Sequence, residues 1–121
     1  MRRGGPVGGI VTSEVDERTD AARRIIDTNS YLTLATADAD GRPWATPVWF
    51  AQDRYTDYIW VSRPGARHSA NIAARAEASI VIFDSTAPVG DGRAVYIEAR
   101  AEQVPDACLK SALAVFDCSR G

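Results

Sequence analysis

Residues 31–51 run Tyr31-Leu32-Thr33-Leu34-Ala35-Thr36-Ala37-Asp38-Ala39-Asp40-Gly41-Arg42-Pro43-Trp44-Ala45-Thr46-Pro47-Val48-Trp49-Phe50-Ala51. Tyr31–Ala37 alternates and is rich in β-formers, which predicts a strand. Asp38-Ala39-Asp40-Gly41 reads as a hairpin turn, because glycine supplies the left-handed backbone that tight turns need. Pro43–Ala51 then returns as a second strand. Gln52 to Asp57 is a polar turn, and Tyr58–Ser62 is a third strand. Three consecutive strands on short turns make an antiparallel meander.

The pattern extends outward from this hairpin. Upstream, Ser13 opens a helical spacing that carries Val15, Ala22, Ile25 and Ile26 and ends near Thr28-Asn29; acidic residues crowd its first turn. Downstream, Arg63-Pro64-Gly65 breaks the sheet, and a short helix follows over 66–76 with Ser69, Ile72, Ala73 and Ala76 facing inward. Ala78–Phe83 is nearly continuous in apolar residues, as in a strand buried on both faces. Ala94–Val104 alternates strictly, which gives it one dry face and one wet face. Pro105 starts a last helix whose buried stripe is Leu109, Ala112, Leu113 and Phe116. The expected fold is mainly β with flanking helices: an antiparallel barrel, because closure hides sheet edges. Residues 1–12 are Gly-rich and expected to be a disordered tail, with one domain over 13–121.

Composition narrows the function classes. The chain has 121 residues, which fits one domain, and its 45% hydrophobic and 25% charged residues are those of an ordinary soluble globular protein. The net charge is −2 and the arginines are scattered, so no nucleic-acid partner is expected. No apolar run is long enough to span a bilayer. With no signal peptide in the sequence, the expected compartment is the cytoplasm, where Cys108 and Cys118 stay reduced. Their spacing suits neither a redox motif nor a zinc site, and His68, the lone histidine, builds no metal site unaided.

Two stretches can carry chemistry. The first is Thr46-Pro47-Val48-Trp49. Proline cannot donate to a ladder, so Pro47 implies that part of this strand faces something other than a strand. A flat heterocycle with imide edges could pair there; a plain edge strand explains the proline equally. The second is Ser62-Arg63-Pro64-Gly65-Ala66-Arg67-His68-Ser69-Ala70-Asn71, at the junction from strand to helix. A helix N-terminus is a ready anion site. Ser62 adds a hydroxyl, Arg63 and Arg67 add forked donors, and His68 adds a hydrogen bond or a charge. Arg67 and Asn71 lie one turn apart on one face. A solvated basic face with a polar cap accounts for the same residues. No side chain is a convincing acid or base, so no catalytic residue is assigned.

Both stretches, in order and spacing, resemble the pyridoxamine 5′-phosphate oxidase-like flavoproteins. Leu34-Ala35-Thr36 and Asp40 to Phe50 look like that family's first hairpin. Tyr58-Ile59-Trp60-Val61-Ser62, the Arg67-His68 pair and Asn71-Ile72 look like its third strand and phosphate-binding helix start. Ala78–Phe83 matches the strand that follows. The resemblance covers about residues 24–104. It implies a split β-barrel that holds FMN, with Ser62, Arg67, His68 and neighbouring Arg63 on the phosphate. The flavin ring would then lie along Thr46 to Trp49, between the subunits of a homodimer. It also implies flavin-mediated oxidoreduction of a small molecule. The alternatives on the same barrel are F420-dependent reduction and binding of flavin, haem or bilin without turnover. The sequence departs from the family in four places. His68 stands where lysine is frequent. Thr46 and Ala51 stand near the arginine and lysine of the vitamin B6 oxidases. The C-terminal substrate-binding segment of those oxidases is missing, so vitamin B6 oxidation is not implied. The usual strand after the last helix is missing too, so the chain is expected to be shortened or truncated there.

Overall fold

A computed structural model describes residues 2–6, 12–90 and 92–120. The elements in chain order are β1 (Arg2–Pro6), α1 (Thr12–Thr28), β2 (Tyr31–Ala37), β3 (Pro43–Asp53), β4 (Asp57–Trp60), α2 (Arg67–Ala74), β5 (Glu77–Phe83), β6 (Ala94–Ala101) and α3 (Asp106–Arg120). Every strand pairing is antiparallel, and the order β1-β4-β3-β2-β5-β6 closes on itself as a barrel. The expected mainly β barrel is therefore present.

The β2–β3 hairpin forms as its turn chemistry dictates. Gly41 takes φ +85°. The Asp38 carboxylate accepts the N–H groups of Asp40 and Arg42 at 2.9 Å each. Side chains then alternate. Leu32, Leu34, Thr36, Val48 and Phe50 point into the barrel and are buried, while Tyr31, Pro47 and Trp49 face outward and are exposed. Ile80, Ile82, Val95, Ile97, Tyr58 and Trp60 complete the core from the other strands, and Ile26 closes it from α1.

The turn from β3 to β4 lies within the expected Gln52–Asp57 stretch, but its backbone conformation was not legible. Arg54 and Tyr55 are both left-handed, at φ 57° and 60°, a conformation costing about 1–2 kcal/mol for each non-glycine residue. Tyr55 is tied down on several sides. Its N–H donates to Gln52 Oε1 at 2.7 Å, its hydroxyl donates to Asp27 at 2.7 Å, and the Arg23 guanidinium lies 4.8 Å from its ring centre. Its carbonyl accepts the hydroxyl of buried Tyr58 at 3.0 Å.

Several sequence expectations need correction. Arg2–Pro6, expected within a disordered tail, pairs its backbone with β6 and β4 and closes the barrel. Two glycines and a proline give this strand no readable side-chain pattern. Met1 and residues 7–11 of that tail lie outside the described residues. β5 is buried on one face only: Ala78, Ile80 and Ile82 point inward, while Glu77, Ser79 and Phe83 are exposed. α2 turns His68, Asn71 and Ile72 toward the barrel rather than Ala73, which is exposed. On α3, Leu109 and Leu113 stay 39% and 40% exposed, the helix packing mainly against β3 and less against β4. β4 ends at Trp60, and this frees Val61 and Ser62 into the loop before α2.

Two stability predictions follow from this packing. Asn71 Nδ2 donates to Thr36 Oγ1 at 3.0 Å, with both residues buried. Asn71→Ala should lower urea stability by about 1–3 kcal/mol, because it strands a buried polar group; an unchanged midpoint would show that the contact does not hold α2. Burial, reinforced by Tyr55 and Asp27, pushes the Tyr58 hydroxyl up to about 12. The neutral phenol is thus favoured by folding. Its contribution is complete below the unfolded value near 10 and is lost between pH 10 and 12, by about 2–3 kcal/mol. Denaturation curves at pH 9 and 11.5 should show a steeper alkaline loss for the wild type than for Tyr58→Phe.

Candidate functional site

The hydrogen-bond phase of the β2–β3 ladder determines what β3 offers to a ligand. The Phe50 N–H donates to the Ser30 carbonyl, and the Asp38 N–H donates to the Arg42 carbonyl. Both fit one register, Thr33 opposite Pro47 and Thr36 opposite Trp44. Hydrogen-bonded and non-bonded pairs alternate along such a ladder, so Thr33–Pro47 is a non-bonded pair. The Pro47 nitrogen therefore points away from β2 and costs the ladder nothing. On its other side β3 pairs with β4 only from Phe50 to Asp53. Among the described residues no second strand lies beside Pro43 to Val48, and the backbone of Ala45 and Pro47 faces that open edge. This agrees with the expectation drawn from Pro47.

The predicted site residues fall into two groups around this edge. On β3, Pro47 and Trp49 are exposed, Thr46 is half-buried and its hydroxyl reaches the Pro47 carbonyl at 3.4 Å. Val48 is buried in the core, so only its backbone is available to a ligand. Trp49 meets Phe116 of α3 edge-on, with ring centres 6.2 Å apart. In the loop and on α2, the Ser62 hydroxyl lies 2.6 Å from His68 Nε2, both residues half-buried. The Arg63 carbonyl accepts the Ala66 N–H at 3.0 Å and the Ser69 hydroxyl at 3.0 Å, which folds the loop onto the helix start. Its side chain is exposed. Burial pushes the His68 imidazole below its ordinary value, so it favours the neutral form. Asn71 sits underneath, committed to Thr36.

Arg67 joins the two groups. Its guanidinium lies over the Trp44 ring, 4.2 Å from the centre, in cation–π geometry. Trp44 is cross-strand partner to Thr36, and Asn71 holds Thr36. One turn of α2 thus spans one rung of the hairpin, with Asn71 on Thr36 and Arg67 on Trp44. Trp44 was not among the residues expected at the site. The hairpin register together with the Arg67–Asn71 spacing is the signal that could have found it. The α2 N-terminus carries no side-chain cap, and its first N–H groups have no intrahelical acceptor. Arg67, the Ser62–His68 pair and these N–H groups form a cationic, donor-rich corner beside a flat open strand edge. Such a corner can hold an anion, and such an edge can pair with a planar polar ring.

Among the described residues there is no group of three metal-ligating side chains and no helix long and apolar enough to cross a membrane. No curated protein matches the chain in sequence. Similar solved structures include Atu2129 from Agrobacterium tumefaciens, a protein of unknown function, at 19% identity and TM-score 0.72; the match covers 91% of this chain and 48% of that one. A heme binding protein from Mycobacterium smegmatis is similar at 26% identity and TM-score 0.69, over 90% of this chain and 43% of that one. An F420 reductase is similar at 24% identity and TM-score 0.62, over 83% and 77%. The chain thus spans about half the length of the Agrobacterium protein and less of the mycobacterial one. The family model for pyridoxamine 5′-phosphate oxidase matches residues 18–117, which covers the meander, α2 and both later strands. The chain belongs to the pyridoxamine 5′-phosphate oxidase family.

Proposed function

We propose that this protein binds FMN and serves flavin-mediated oxidoreduction of a small molecule, as a homodimer with the cofactor between subunits. The observation that carries the reading is the Arg67–Trp44 contact, because it sets an anion corner and an open strand edge side by side. The donor set fits FMN. Ser62, Arg63, Arg67, His68 and the α2 N–H groups suit a phosphate monoester. The β3 backbone from Thr46 to Trp49 suits the donor and acceptor edge of an isoalloxazine. Asn71 acts from below, by holding α2 at the height this requires. Bound flavin supplies the hydride chemistry, and the chain's own residues bind, orient and shield it. A deazaflavin such as F420 suits the same frame, and the F420 reductase of this fold keeps that reading alive. Haem is a second reading, favoured by the similarity to the mycobacterial heme binding protein.

The test is to identify what the protein takes up and how. The purified protein should bind FMN, give an oxidised flavin spectrum and reoxidise after reduction by a nicotinamide. A haem or F420 spectrum, with no FMN uptake, would refute the reading. Arg67→Ala should weaken FMN about ten- to hundredfold, the value of one charge-assisted hydrogen bond, and barely move riboflavin. Equal losses for both ligands would place Arg67 under the ring or the fold instead. Dimerisation has its own support: Trp44, Trp49, Val61, Leu109 and Leu113 remain substantially exposed around the site. Light scattering should report a dimer, with burial of about 1,200–2,000 Å² or more expected. A monomer that still holds flavin tightly would contradict it.

A further inference from the structure

Ser62 has one hydroxyl proton, and His68 Nε2 lies 2.6 Å from its oxygen. That distance forces a choice. With Nε2 bare, Ser62 must donate to the ring and has no proton left for an anion. With Nε2 protonated, in the neutral Nε2–H tautomer or in the imidazolium, the ring donates to Ser62 Oγ and the Ser62 proton turns outward; of the two forms, the imidazolium is the one whose charge an anion stabilises. An anion seated at the α2 start requires the second arrangement.

We propose that His68 is a positioning residue that couples phosphate binding to proton uptake: when a phosphate monoester arrives, the imidazole takes a proton from solvent, donates from Nε2 to Ser62, and thereby aims the Ser62 hydroxyl at the phosphate. This rests on the FMN reading above. The proton comes from water and returns to it on release, and no covalent bond changes. The geometry favours the charged ring once the anion is present. His68 is half-buried beside Ser62, so the anion's charge lies one hydroxyl away through a poorly solvated path. Without the anion, burial disfavours the imidazolium. Among the described residues, the charged groups on its own segment are arginines: Arg63 in the loop, Arg67 on α2 and Arg75 just after it. α2 packs on β2 and β3. β2 offers only Tyr31 as a titratable group and β3 only Asp53, at its far end. Asp38 and Asp40 lie in the intervening turn, where Arg75 reaches the Ala39 carbonyl at 3.2 Å. Among the described residues no carboxylate acts on the ring, so a bound phosphate is the group that would change its charge.

The sign follows from linkage. Burial holds the His68 imidazole of the free protein below the ordinary value of 6.5, and the proposed coupling raises it in the bound form. FMN affinity therefore gains as pH falls through the window between the two values, about tenfold for each unit of separation. The phosphate's own second ionisation, at about 6, acts the other way, so the ring must be watched directly. The chain has a single histidine, which leaves its imidazole proton signals unambiguous in NMR. Titrations of the full chain alone, with saturating FMN and with riboflavin should show a rise of about one unit or more with FMN and none with riboflavin. In Ser62→Ala, FMN should raise the imidazole value by less than half as much. FMN bound to the wild type with an unmoved imidazole overturns the coupling. An equal rise in Ser62→Ala overturns the route through Ser62. No FMN binding to the wild type overturns the flavin reading, and this inference with it.

Discussion

Backbone hydrogen bonds must be made or left to solvent and ligands, and β3 is where this barrel leaves them. The strand has eleven residues. β2 takes one side of its first seven, from Pro43 to Trp49, and β4 takes the other side of its last four. Pro47 enforces the split. A fourth strand could not extend along this half, because the Pro47 nitrogen would meet it with no donor. β4 stops at Trp60, opposite Phe50, and the chain leaves the sheet through Val61 and Ser62. The loop that begins there must pass close to the open half of β3 before α2 starts. A single proline thus accounts for the free edge, the early end of β4 and the placement of Ser62.

The position of α2 depends on a second constraint, the burial of Thr36. Its side chain points into the barrel wall where neighbours are apolar, and a buried hydroxyl needs a partner. Asn71 supplies the partner through its Nδ2. This contact sets the phase of the helix. With Asn71 inward, Arg67 falls one turn earlier over Trp44, and His68 falls beside Ser62. Rotation of α2 to bury Ala73, as apolar periodicity suggests, would lose the Asn71–Thr36 bond. A polar bond outweighs a methyl group here, since an unsatisfied buried group costs about 1–3 kcal/mol and a buried methylene contributes about 0.8.

The same comparison shows what could be read in the sequence. β2, β3 and β6 were legible because alternation and Gly41 speak through side chains. β1 was not, because Arg2–Pro6 contributes backbone pairing and almost no pattern. β5 was misread as doubly buried because its composition is apolar on both faces; the exposed Phe83 shows that composition alone does not report burial. The open edge was legible from Pro47, and the grouping of Ser62, Arg67 and His68 at the start of α2 from their order. Trp44 was missed because its role exists only across the hairpin register. The left-handed Arg54-Tyr55 pair was invisible because neither residue favours that conformation; tertiary contacts to Asp27, Arg23 and Tyr58 hold it.

The Arg67–Trp44 contact also bears on how the two halves of a ligand are kept in register. A cation over an indole face contributes about 0.5–1 kcal/mol at an exposed site, too little to organise a fold. Its value lies in geometry. An arginine that only solvated itself would sample many rotamers, and ordering it on binding would cost entropy. Held over Trp44, the guanidinium already has a place beside β3. Trp44 in turn is fixed by its pairing opposite Thr36, and Thr36 by Asn71 of the same helix that carries Arg67. The path from strand edge to cation closes on itself through four residues. On the proposed reading, a ligand with a planar head and an anionic tail would meet both of its contacts at a set separation, on elements already held together by these contacts.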